Sequence, residues 1–206
     1  MNIVKSAVPF HLYKSPLVVS QTLELSRRIL NPIYHGIYRK FVEPTFTMDG
    51  FLSGAKQSAA LVAALVRESR YDRLNEFMTT ASTRQLRYRI SELSSEQIQK
   101  YFTFTQDDVV LAFNHSSFIS SYFIISRDQK SPNFTFYSTF VLFIDPKDPK
   151  NKSRTVNQLL HDDVLICNIT VARLLFPPGR WRITDINFFN STFVNATQDV
   201  QFVTMV

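Results

Sequence analysis

Residues 46–74 read FTMDGFLSGAKQSAALVAALVRESRYDRL, and this stretch decides the fold. Phe51, Ala55, Ala59, Val62 and Val66 recur at helical spacing, and Leu52 and Leu65 widen the stripe, so the segment is a helix with one buried face. Gly54, Ala55, Ala59, Ala60, Ala63 and Ala64 give that helix a seam of little side-chain bulk, which lets a flat neighbour such as a sheet approach its backbone. Glu68-Ser69-Arg70 breaks the periodicity before Tyr71-Asp72-Arg73-Leu74 opens a second, short helix.

Toward the N-terminus, residues 18–30 are expected to form a helix that Pro32 stops soon after Leu30. In residues 33–42 the positions Ile33, Tyr34, Ile37, Tyr38, Phe41 and Val42 fall on one helical face, with Arg27, Arg28, Arg39 and Lys40 nearby. Tyrosines at an apolar edge beside cations are what a helix lying in a lipid headgroup layer requires, where each basic residue contributes roughly 1 kcal/mol near an anionic surface. Toward the C-terminus, residues 71–78 and 82–93 read as helices, the latter carrying Arg84, Arg87 and Arg89, and Ser94-Ser95-Glu96 opens another that leads to Tyr101.

From Phe102 the pattern changes to strands. Residues 108–113 and 117–126 are two strand candidates, with a turn over residues 127–132; residues 134–144 are nearly unbroken aromatic and β-branched until Asp145-Pro146 ends them. Residues 163–176 and 180–189 follow, and the short Pro177-Pro178-Gly179 connection favours an antiparallel pair. Helices first and strands afterwards indicate an α+β fold with a bent antiparallel sheet packed on the main helix.

The chain has 206 residues, 45% of them hydrophobic, with 19 Phe and only 4 Gly, which is enough to bury a substantial core and argues against disorder. Its net charge is +6, and residues 1–44 hold six cations against two acids, so that segment favours an anionic partner. Residues 1–44 are therefore expected to form a basic extension with an amphipathic helix, residues 45–190 the domain, and residues 191–206 a tail. No secretory leader is evident, no window of about 18 apolar residues occurs, and the basic, serine-bearing start is compatible with mitochondrial targeting.

The run Phe51-Leu52-Ser53-Gly54-Ala55-Lys56-Gln57, followed by Val62, Leu65, Tyr71-Asp72 and Leu74, resembles the opening helices of the mitochondrial domain family named after subunit 44 of the inner-membrane translocase. Asn31-Pro32-Ile33-Tyr34, the aromatics Tyr38 and Phe41, and Trp181-Arg182-Ile183-Thr184-Asp185-Ile186 fit the same family, and the likeness is greatest to its member that interacts with the matrix AAA protease. Gly54, Ala55, Lys56, Gln57, Tyr71 and Asp72 are the family motif as it stands here. The resemblance implies a nuclear-transport-factor-2-like cone and a non-catalytic adaptor in the mitochondrial matrix, peripheral to the inner membrane. Its implied partners are matrix AAA protease subunits, newly imported inner-membrane proteins such as a calcium-uniporter subunit, and anionic inner-membrane lipid. Two other readings stay open: a ribosome-linked membrane anchor touching ribosomal RNA or proteins, and a small-molecule isomerase or dehydratase of the same fold.

Site chemistry is sparse. Glycines at 36, 50, 54 and 179 make no phosphate loop, the histidines at 11, 35, 115 and 161 have no metal-ligand spacing, and the single Cys167 reads as a core residue, so neither a cofactor nor a metal is expected. No Lys/Arg run exceeds two residues, which argues against DNA. Phe134, Phe136, Phe140, Trp181, Asp185 and Phe188 are the candidates for a pocket or partner surface, and Asp185, His115 and Tyr122 the formal acid–base candidates. Alternation places Trp181, Ile183 and Asp185 on one strand face. His161-Asp162-Asp163 reads as a solvated strand entry. Asn114, Asn133, Asn151, Asn168, Asn190 and Asn195 each begin a glycosylation-type triplet, read here as a product of Asn and Ser/Thr abundance.

Overall fold

The computed structural model describes residues 8–15, 17–19, 25–122 and 133–197. Four helices, α1 (Leu25–Phe41), α2 (Met48–Arg67), α3 (Thr80–Ser91) and α4 (Ser95–Phe102), precede strands β1 (Val109–Tyr122), β2 (Asn133–Ile144), β3 (Leu165–Leu174) and β4 (Arg182–Asn190). Two six-residue helices complete the set, α5 (Val156–His161) between β2 and β3 and α6 (Ser191–Ala196) after β4. The strands form one antiparallel sheet in the order β1-β2-β3-β4, so the fold is α+β.

α2 is the helix that its sequence dictates. Thr47 caps it by accepting from the Gly50 N–H at 3.2 Å, and a Cβ on Gly50 would meet that hydroxyl oxygen at 2.9 Å, so a larger residue there would have to displace the capping hydroxyl. Ala55, Ala59, Val62, Ala63, Leu65 and Val66 are buried, and the small seam lets α2 reach β1, β2 and β3. The helix ends at Ser69, whose φ of 56° is left-handed, as Arg70 N–H returns to Leu65 O at 2.9 Å. A 3₁₀ helix, Tyr71–Glu76, follows in place of the expected α-helical turn.

The sheet is covered on both faces. On the α2 side Phe140, Leu142, Ile144, Cys167, Ile169, Ile183, Ile186 and Phe188 pack with α2, α3 and α4. On the other side Val141, Phe143, Ile166 and Phe189 pack with Val19, Leu159 of α5 and the half-buried Phe193 of α6. Two buried faces explain why β2 reads as a continuous apolar run rather than an alternating one.

Three expectations are corrected. Pro32 does not stop a helix at residue 30; α1 runs through it to Phe41, because Asn31, His35 and Tyr38 are fastened to the sheet side and outweigh a ring cost of roughly 3 kcal/mol. Among the described residues the two strand candidates are one strand, Val109–Tyr122, in which Val110 and His115 are extra residues opposite β2. The expected turn at residues 127–132 lies outside the described residues. In β4 the partners step from Thr170↔Asp185 to Val171↔Ile183, leaving Thr184 as a bulge that flips the alternation, so Asp185 shares the parity of Asn187 and Phe189 rather than of Trp181 and Ile183.

Residues 8–15 and 17–19, expected as part of an extension, place four side chains in the core. Phe10, Leu12, Tyr13 and Val19 are buried, and Leu12 N–H to Phe188 O at 2.7 Å with Asn190 N–H to Phe10 O at 2.9 Å lays the segment along β4. An edge that would otherwise present unpaired backbone groups is thereby covered.

Candidate functional site

α1 has two faces of different character. Asn31 accepts the Ser117 N–H at 2.8 Å and donates to His115 O at 3.3 Å, thereby capping the outer edge of β1, and His35 Nε2 lies 2.8 Å from Ser117 Oγ. One turn on, Tyr38 is fully buried among Phe46, Phe136 and Trp181. Its hydroxyl donates to Glu43 Oε2 at 2.9 Å, and Arg173 reaches the same carboxylate at 2.7 Å. Burial, reinforced by the Glu43 carboxylate, pushes the Tyr38 phenol up to about 12. Burial also lowers the His35 pKa.

The opposite face is apolar and open. Ile29, Ile33, Ile37 and Phe41 succeed one another at four-residue intervals and are 54%, 48%, 38% and 62% exposed, with exposed Leu30 beside them. Lys40 falls within the row and sits 5.3 Å from the Phe41 ring centroid, while exposed Arg28 and Arg39 border it. Isolated exposed apolar residues are commonplace; a row of five on one helix is a surface that excludes water once it finds a partner.

The expected membrane-facing stripe is therefore split. Ile33, Ile37 and Phe41 face outward with Arg39 and Lys40, whereas Tyr38 is buried and Tyr34 half-buried, both turned toward the sheet. The Arg27 side chain lies outside those described. Ile29 and Leu30 were missed because they were assigned to a separate helix ended by Pro32; an unbroken α1 register would have placed them in the row.

Below the C-terminal end of α1 lies a cavity of about 330 Å³. Phe46, Phe51, Val171 and Trp181 line it, Gly54, Ala55 and Ser58 of α2 form its low wall, and Glu43, Thr45 and Thr47 edge it. Of the six residues expected at a pocket or partner surface, Trp181 alone reaches this cavity. Phe136, Phe140 and Phe188 are wholly buried in the core and Phe134 half-buried, so the rings that made the sheet look like a binding face are its packing. Among the motif residues, Gly54 and Ala55 line the cavity, and Gln57 borders a second groove of about 430 Å³ with Ala60, Ala64, Arg67 and Phe104. Lys56 is half-buried, Asp72 exposed, and Tyr71 receives the Arg87 guanidinium over its ring at 5.8 Å.

The formal acid–base candidates do not converge. Asp185 is half-buried near Tyr13 and Cys167, and burial raises its pKa; it does not line the Trp181 cavity. His115 is one of the two β1 bulge residues, and the side chain of Tyr122 lies outside those described. The Asp162 carboxylate is tied to Arg154 at 3.1 Å, and that of Asp163 to the Asn190 amide at 3.2 Å, so this acidic pair braces neighbouring loops. Asn168 and Asn190 are buried, which closes those two triplets to glycosylation. Among the described residues no group of His, Cys, Asp and Glu could hold a metal ion, and no helix is long and apolar enough to cross a membrane. No family model, curated protein or solved structure matches the chain.

Proposed function

We propose that this chain is a non-catalytic adaptor that sits on an anionic membrane surface through the outer face of α1. The observation that carries the reading is the exposed row Ile29, Ile33, Ile37 and Phe41, bordered by Arg28, Arg39 and Lys40, on a helix whose inner face is fixed to the sheet. Such a helix lies in the headgroup plane with its apolar side chains below it and its cations at the phosphates. The likeness of residues 51–57 to the translocase subunit 44 family supplies the setting. In this reading the domain is a nuclear-transport-factor-2-like cone held at the matrix side of the inner mitochondrial membrane. There it joins the matrix AAA protease to newly imported membrane proteins, a calcium-uniporter subunit among them.

Flotation with vesicles tests the membrane step. The chain is expected to float with cardiolipin-containing vesicles and to stay behind with phosphatidylcholine alone, and Ile33→Asp with Ile37→Asp should abolish flotation. Because both positions are exposed, the double variant should keep its stability to within about 1 kcal/mol. Proximity labelling in intact mitochondria tests the partners: enrichment of AAA-protease subunits is expected, and enrichment of ribosomal proteins instead would overturn the adaptor assignment.

A further inference from the structure

Residues 8–15 and 17–19 are held by a device that reads backbone rather than sequence. Asn187 accepts the Tyr13 N–H at 3.0 Å and donates to the Tyr13 carbonyl at 3.2 Å. Asn168 does the same for Val18, at 2.8 Å in both directions. Asn190 accepts the Phe10 N–H at 2.8 Å and donates to Val8 O at 3.0 Å. A carboxamide carries the donor and acceptor of a peptide unit, so each of these side chains grips an extended chain of any sequence. Selectivity comes from slots: Phe10 stacks on Tyr101 at 3.7 Å, His11 on Phe193 at 4.1 Å, Leu12 is buried, and Arg89 lies 5.7 Å from the Tyr13 ring centroid.

We propose that this β4 edge, with Asn187 and Asn190 of β4 and Asn168 of the neighbouring β3, is a binding groove for extended polypeptide, filled here in cis, and that it accepts in trans a segment of another protein with an aromatic-x-aliphatic-aromatic pattern. The chemistry of the occupant is given by the segment seated there. Six carboxamide bonds and two backbone bonds supply affinity, and the aromatic and leucine slots supply choice. Terminal segments open at lower free energy than a whole domain, so the groove is emptied without global unfolding. The proposal does not depend on the membrane reading.

The test uses the full chain and a fluorescent peptide of residues 8–19. Weak binding to the unaltered chain is expected, because the tethered segment competes. Phe10→Ala or Leu12→Ala should weaken that competitor and tighten peptide binding at least about tenfold, equivalent to about 1.4 kcal/mol. Adding Asn187→Ala should remove the gain. A peptide with a photoreactive phenylalanine at the Phe10 position should cross-link the unaltered chain at Tyr101 or β4, a readout that needs no variant. Cross-linking elsewhere or not at all, equal binding of a scrambled peptide, or folded variants that bind no tighter would overturn the proposal. Dimers that exchange their own segments and ignore the peptide would overturn it as well.

Discussion

Asn187 is 1% exposed, and its carboxamide satisfies both polar groups of Tyr13. Replacing it with Ala orphans a buried donor and acceptor, so Asn187→Ala is expected to cost about 2 to 3 kcal/mol in urea unfolding, against less than 0.5 for a change at exposed Asn151. Asp185 is the converse case, a carboxyl that burial raises above its ordinary 3.8. A group that holds its proton more tightly when folded contributes most below its unfolded pKa, and that contribution is lost as pH rises through the folded value. Asp185→Asn should therefore raise the melting temperature at pH 7 and flatten its decline above pH 4. His35 has the opposite sign: burial lowers its pKa from 6.5, so stability falls as pH drops below that value, and His35→Gln should lessen the loss between pH 7 and pH 5. None of these roles was visible in the sequence, because each depends on a partner more than 80 positions away or on the Thr184 bulge.

At the scale of elements, α2, α4 and the strands were legible because period and caps agreed. Ser94 heads a capping box with Gln97, and β3 and β4 flank the turn that Pro177-Pro178-Gly179 announced. α1 was misread because a local rule about proline met a tertiary override. Pro32 still removes one backbone bond from α1, so Pro32→Ala is expected to stabilise the protein by roughly 1 kcal/mol, with about 3 kcal/mol as the ceiling; calorimetry would check it. α5 and α6 escaped notice because six residues are too few for a helical period to show. Without them the second core was also invisible, although the unbroken apolar run of β2 was its signature. The candidate site was half legible: the cations and three of the apolar residues of α1 were found, and the direction each side chain faces was not.

For the whole molecule, the buried residues Phe10, Leu12, Tyr13 and Val19 set a limit on maturation. Truncating Phe10, Leu12 or Tyr13 to Ala would cost roughly 2 to 5 kcal/mol for each of these larger side chains. If a targeting leader is removed, N-terminal sequencing of the mature protein should find a start at or before residue 8, and a chain beginning at residue 20 should unfold at lower urea. The same contact orders events in time. Phe10 emerges from a ribosome well before its partner Asn190, which lies 180 positions later, roughly 10 to 40 s of synthesis. Until then the first aromatic residues have nowhere to go, and nascent chains stalled at residue 180 should remain open to protease and to chaperones. Residues 10–13 thus wait for β4, and the chain depends on its surroundings until that strand is made.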